Sequence, residues 1–144
     1  MPAPLVGGCL CGAIRYSADA DTTVLRACHC RNCQKHTGTG GSVNAVVPTA
    51  SFRITKGTPK KYDDSATQSG RVLSRHFCGD CGSPIYSQRN PDAGFLVIRA
   101  GTLDDSSRMK IATHIWTSTA PAWTHIDPST ERHPGNMPVP PPKS

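Results

Sequence analysis

Phe77-Cys78-Gly79-Asp80-Cys81-Gly82-Ser83 is a C-x-x-C turn with glycine directly after its second cysteine, and the rest of the chain is best read outward from it. In a turn this tight both sulfurs can reach one ion, as in a zinc knuckle. One knuckle supplies two ligands, so a tetrahedral zinc needs two more. Cys9-Leu10-Cys11, flanked by Gly8 and Gly12, can supply them, because residues two apart on a strand point to the same face. A closed site of Cys9, Cys11, Cys78 and Cys81 would tie the N-terminal strand to the middle of the chain. Such sites have apparent binding energies of roughly 10–16 kcal/mol in small zinc modules.

Three of the seven cysteines remain, all in Cys28-His29-Cys30-Arg31-Asn32-Cys33. Three ligands with an open fourth position is the arrangement zinc uses when it does chemistry. Three thiolates outweigh the two charges of the ion and weaken it as a Lewis acid towards water. A soft thiol is then the more natural fourth partner. His29 is an alternative nitrogen donor between two of the sulfurs. Other readings stay open at this point: a redox or metal-scavenging cluster, or two of these cysteines pairing with the knuckle and leaving Cys9 and Cys11 free. Disulfides fit an odd cysteine count poorly.

The 144 residues are 36% apolar and 6% aromatic, with 13 glycines and 13 prolines, a composition of turns rather than long helices. Short runs ("AIRYSA", "SVNAVVP", "SFRITKG", "VLSRHFC", "PIYSQ", "FLVIRAGTL", "THIWTS") alternate with glycine, proline, asparagine and aspartate clusters. The expected fold is mainly β: a small zinc-stapled sheet domain with little helix. "FLVIRA" reads as the buried strand, and "RNCQKHTG" as one helical turn ended by "GTGG". A single domain is expected over 1–132, with a proline-rich tail over 133–144. The N-terminus lacks the pattern of a signal peptide and no stretch is long enough to span a membrane, so a cytoplasmic, thiol-reducing setting is expected. The formal charge of +6 favours anions. Its basic residues are scattered without a run, which argues against a nucleic-acid tail.

Taken together, "GGCLCGAIRY", "CHCRNCQKHTGTG", "KGTPKKYDDSATQSGRVLSRHFCGDCGSPIYS", and "VIRAGTLDD" followed by "HIWTSTAPAW" resemble the glutathione-dependent formaldehyde-activating enzyme family, which includes centromere protein V, from about Gly7 to Trp123. The resemblance implies an Mss4-like fold with two zinc ions. One would be structural on Cys9, Cys11, Cys78 and Cys81, the other catalytic on Cys28, Cys30 and Cys33. It implies addition of glutathione to formaldehyde, giving S-hydroxymethylglutathione, formally a carbon–sulfur lyase run backwards. Arg31, Lys35 or His36 is expected to receive one of the two glutathione carboxylates, and Thr37 and Gly38 open a glycine-rich segment whose N–H groups could receive the other. Many relatives carry an aromatic where this chain reads Gly40-Gly41-Ser42-Val43, which implies a roomier pocket wall. The competing class is a non-catalytic zinc module that binds nucleic acid or an acidic partner. Association into a homo-oligomer is left open.

Overall fold

A computed structural model of the chain describes residues 4–137. Two sheets form its frame. The smaller joins β1 (Leu5–Gly8), β2 (Arg15–Ala18) and β5 (Phe52–Lys56) in the order β1-β2-β5, all antiparallel. The larger has eight strands, drawn from β3 (Val24–Cys28), β4 (Ser42–Pro48), β6 (Lys60–Asp64), β7 (Leu73–Phe77), β8 (Pro84–Arg89), β9 (Phe95–Arg99), β10 (Lys110–Ile115) and β11 (Glu131–Arg132). Its order is β11-β10-β3-β4-β9-β8-β7-β6, with parallel pairing only on either side of β10. One short helix, α1 (Arg31–Thr37), follows β3 and ends on Gly38 in the left-handed conformation at φ 74°. The chain is therefore mainly β, as its composition and short apolar runs indicate. Among the described residues no helix is long and apolar enough to cross a membrane.

The core lies where the sheets meet. Tyr16 and Ala18 of the small sheet join Ala45, Val47, Leu96 and Ile98 of the large one in a single buried cluster. Phe52 bridges the layers, its ring 5.4 Å from that of Tyr16 and 4.6 Å from that of Tyr86. Burying side chains of this kind contributes about 1.5–3 kcal/mol each. Because strand residues alternate between faces, the opposite face of the large sheet carries a different set: Arg26 and Cys28, Asn44, Leu73 and Arg75, Ser87 and Arg89, and Phe95, Val97 and Arg99.

The segment expected to be a tail begins docked on the domain. Its first residues are held to the end of β10, with His133 N donating to His114 O (2.9 Å) and Trp116 N donating to Gly135 O (3.0 Å). Residues 138–144 lie outside the described residues.

Candidate functional site

Two hairpin turns of matching build form the first cysteine cluster. Residues 9–14 connect β1 to β2 and residues 78–83 connect β7 to β8. Each is closed by its first N–H: Cys9 N to Ile14 O (3.1 Å) and Cys78 N to Ser83 O (3.0 Å). Each bends at a glycine with positive φ, Gly12 at 81° and Gly82 at 79°. Cys9 and Cys11 thus come together through a turn rather than through strand alternation. The sulfurs of Cys9, Cys11, Cys78 and Cys81 all lie within 4.8 Å of one another. Two separations, Cys9 to Cys11 and Cys11 to Cys78, are 3.7 and 3.8 Å. A tetrahedral ion with sulfur at 2.3 Å spaces its ligands about 3.8 Å apart, so this donor set fits zinc. Backbone N–H groups aim at the sulfurs, from Ile14 to Cys9 (3.2 Å) and from Asp80 to Cys78 (3.4 Å), which favours thiolates.

The sulfurs of Cys28, Cys30 and Cys33 form a second group within the same 4.8 Å limit. Cys28 ends β3, Cys30 is the N-cap of α1, and Cys33 lies in its first turn. Cys30 Sγ accepts from Cys33 N at 3.3 Å. Crowding makes the thiols share charge: hydrogen bonds from Cys28 and Cys30 pull the Cys33 thiol well below its usual range, while those to Cys30 and Cys33 push Cys28 far above it. Three thiolates at once require a cation, so this cluster too could hold a metal ion. The alternative grouping, with Cys9 and Cys11 left free, is not what the fold assembles. All seven cysteines are free of disulfides. His29 is not turned towards the sulfurs: its Nδ1 donates to Gly40 O (2.8 Å) and its Nε2 accepts from His114 Nδ1 (2.8 Å).

The three-cysteine group opens into a pocket over the outer face of the large sheet, lined by Arg26, Arg75, Arg89 and Arg99, with Ile115 and Trp116 along one side. Arg99 is 7% exposed. It donates to Asn44 Oδ1 and to Ser87 Oγ (3.2 Å), and burial pulls its pKa down. It has no carboxylate partner among the described residues; the nearby Cys33 is the negative charge that favours its protonated form. Arg75 is paired with Asp64 at 3.1 Å, with both side chains buried. Arg89 stacks over Phe95 at 5.1 Å. Arg26 Nε, Arg75 Nη1 and Arg99 Nε are buried without a hydrogen-bond partner. Buried donors of this kind are costly unless something accepts from them.

The residues expected around a substrate fall elsewhere. Arg31, Lys35 and His36 line a second cleft on the other side of α1, with Tyr62, Asp64 and Arg75. His36 is held neutral, its pKa lowered to about 4 by burial and then by Arg99 and Arg75. Thr37 Oγ1 bonds to Cys33 O (3.0 Å) and Gly41 O (2.7 Å), and Gly38 N to Gln34 O (2.8 Å), so both serve the helix end. Gly40 and Gly41 line a third cleft with His29 and His114, behind the cysteines. A Cβ on Gly40 would sit 1.8 Å from Thr124 Oγ1, so glycine there admits Thr124. Of the four pocket arginines, Arg99 had a signal in the sequence: it ends the apolar run that reads as the buried strand.

A known structure shares this fold. The crystal structure of a Rhodobacter sphaeroides protein superposes with a TM-score of 0.57 at 18% identity, covering 74% of this chain and 98% of that one. The family model described as "Glutathione-dependent formaldehyde-activating enzyme" matches residues 4–119, which take in both cysteine clusters and all four arginines of the pocket. This chain therefore belongs to the glutathione-dependent formaldehyde-activating enzyme family.

Proposed function

We propose that this chain is a zinc-dependent carbon–sulfur lyase-type enzyme that joins glutathione to formaldehyde, or handles a closely related glutathione adduct, in the pocket beside Cys28, Cys30 and Cys33. The observation that carries this reading is the meeting of three thiols and four arginines in one recess. The charges are complementary. Four guanidiniums, less the Asp64 carboxylate and the one net negative charge of zinc held by three thiolates, leave two positive charges. Glutathione with its thiol ionised carries two carboxylates, one ammonium and one thiolate, a net of two negative charges.

Cys28, Cys30 and Cys33 would hold the catalytic zinc, and Cys9, Cys11, Cys78 and Cys81 the structural one. When bound at the three-cysteine group, zinc supplies an open position at which an incoming thiol is kept as thiolate at neutral pH. The remaining work belongs to the chain. Arg26 and Arg89, which line the pocket, would receive carboxylates and fix the sulfur end of the substrate towards the cysteines. Phe95, Val97, Ile115 and Trp116 exclude water from the apolar side. Joining sulfur to the aldehyde carbon leaves an alkoxide that takes one proton, matching the one given up by the thiol. Seven free thiols favour a reducing compartment, and we assign the cytoplasm. Arg75 and Arg99 are turned into the recess and buried, which favours a small anionic ligand over a nucleic-acid surface.

Elemental analysis of gently purified protein, repeated after adding glutathione, tests the reading. Two zinc ions per chain are expected, with one labile to thiol or chelator. A single tightly held zinc that ignores glutathione would overturn it.

A further inference from the structure

The chain returns to the pocket after β10, and the returning segment lies outside the stretch that matches the family, which ends at residue 119. β11 pairs with β10 through Thr113–Glu131 and His114–Arg132. The next four residues run along the turn that follows β10. Thr117 N donates to His133 O (3.1 Å), Ser118 Oγ to Pro134 O (2.6 Å), and Trp116 Nε1 to Asn136 Oδ1 (2.9 Å). Trp116 is the one non-glycine residue with positive φ among those described, at 57°, a conformation that costs energy for a bulky residue and persists where its surroundings enforce it. Here the strap enforces it. Trp116 and Asn136 then stand together at the pocket wall.

The polar groups of this wall are unbalanced. Several of its side-chain acceptors are engaged: Asn44 Oδ1 and Ser87 Oγ on Arg99, Gln68 Oε1 on Arg31 N, and Thr67 Oγ1 on Arg71 N. Its donors are not, since Arg26 Nε, Arg75 Nη1 and Arg99 Nε have no partner. Asn136, an exposed residue of the same lining, offers one donor more. An indole N–H can only donate, so the amide oxygen of Asn136 must face Trp116 and the NH₂ group is turned away from it. Among the described residues that NH₂ has no acceptor.

We infer that Asn136, presented by the strap and oriented by Trp116, is a specificity-determining residue whose amide donates to a carboxylate of the thiol substrate. This rests on the pocket being the glutathione site. It adds that selection among thiols is made partly by a segment separate from the part of the chain that matches the family.

The test is calorimetric titration of the full chain with S-methylglutathione, which carries both carboxylates but no free thiol. Asn136→Ala should bind about tenfold more weakly, the loss of one hydrogen bond to a charged group. Asn136→Asp decides between roles. It keeps the acceptor for Trp116 Nε1, so a merely structural role makes it the milder change. The proposed role makes it the more severe, because a carboxylate then faces a carboxylate. Matching near-ultraviolet circular dichroism confirms that both variants fold. Binding by Asn136→Asp equal to or tighter than by Asn136→Ala overturns the inference while leaving the glutathione site standing. Failure of the unaltered chain to bind both S-methylglutathione and glutathione overturns both.

Discussion

His36 is an imidazole that its surroundings keep uncharged. Burial lowers its pKa to about 4 from a reference value of 6.5, and Arg99 and Arg75 add to the shift. Its Nδ1 is buried without a partner. The unfolded chain therefore takes a proton near pH 6.5 that the folded chain refuses until about pH 4. Between those values the unfolded state binds more protons, so stability rises with pH and is lost as pH falls through the window. Urea titrations at pH 7, 5.5 and 4.5 should show this decline, and His36→Phe should make it shallower, the remainder belonging to His76 and His114, which burial also holds below the usual imidazole range. An equally steep decline in the variant would assign the effect to other groups. The two cysteine groups were legible at this scale because their spacing is chemical information in itself. The pocket arginines were not, although "FLVIRA" was readable as a buried strand. A guanidinium ending the most apolar strand has to be answered by an anion, and that reasoning singles out Arg99 without a structure. Arg26 and Arg75 lie in strands too short and mixed for their facing to be read.

Elements explain which parts of the fold the sequence conceals. Lys60-Lys61-Tyr62-Asp63-Asp64 has almost no apolar content, yet it is β6, an edge strand held by backbone pairing to β7; charged residues suit such an edge because they discourage further pairing. β3 carries Arg26 in its centre, so its alternation is hidden. The parallel pairing of β10 with β3 has no local signal at all. α1 was readable as a helical turn, because Gly38 opens the glycine segment that ends it. What secures α1 is the chain after β6. Asp64 Oδ2 accepts from Arg75 Nε and from Asn32 Nδ2, both at 3.1 Å, while Gln68 Oε1 accepts from Arg31 N at 3.0 Å. Asp64→Asn leaves the Arg75 guanidinium buried and unpaired, so it should destabilise the protein by about 3–5 kcal/mol in urea denaturation. Adding Arg75→Met should restore part of that loss, because a neutral pair no longer strands a charge. No recovery would mean that Asp64 acts mainly through Asn32 and the turn after β6.

At the scale of the molecule, the two cysteine clusters occupy different mechanical positions. One is built from two hairpin turns, β1–β2 of the small sheet and β7–β8 of the large one, so an ion there fastens the layers to each other. The other lies at the end of β3 and the start of α1, beside the pocket and away from the joint between the sheets. With 144 residues rich in glycine and proline, the chain has limited apolar surface to bury, and a typical net stability is about 5–15 kcal/mol. A structural zinc contributing roughly 10–16 kcal/mol is then comparable to the whole margin. Cys78→Ser should accordingly abolish folding, read as loss of dispersed near-ultraviolet circular dichroism and of cooperative melting. Cys30→Ser should behave otherwise. Serine is a good N-cap and can still accept from Cys33 N, so the variant should stay folded, hold about one zinc per chain and lose turnover of glutathione with formaldehyde. Metal analysis and melting curves on the two variants side by side check the division of labour. If Cys30→Ser unfolds as Cys78→Ser does, the three-cysteine group is a second staple rather than a reaction centre, and the pocket beside it must work without a metal.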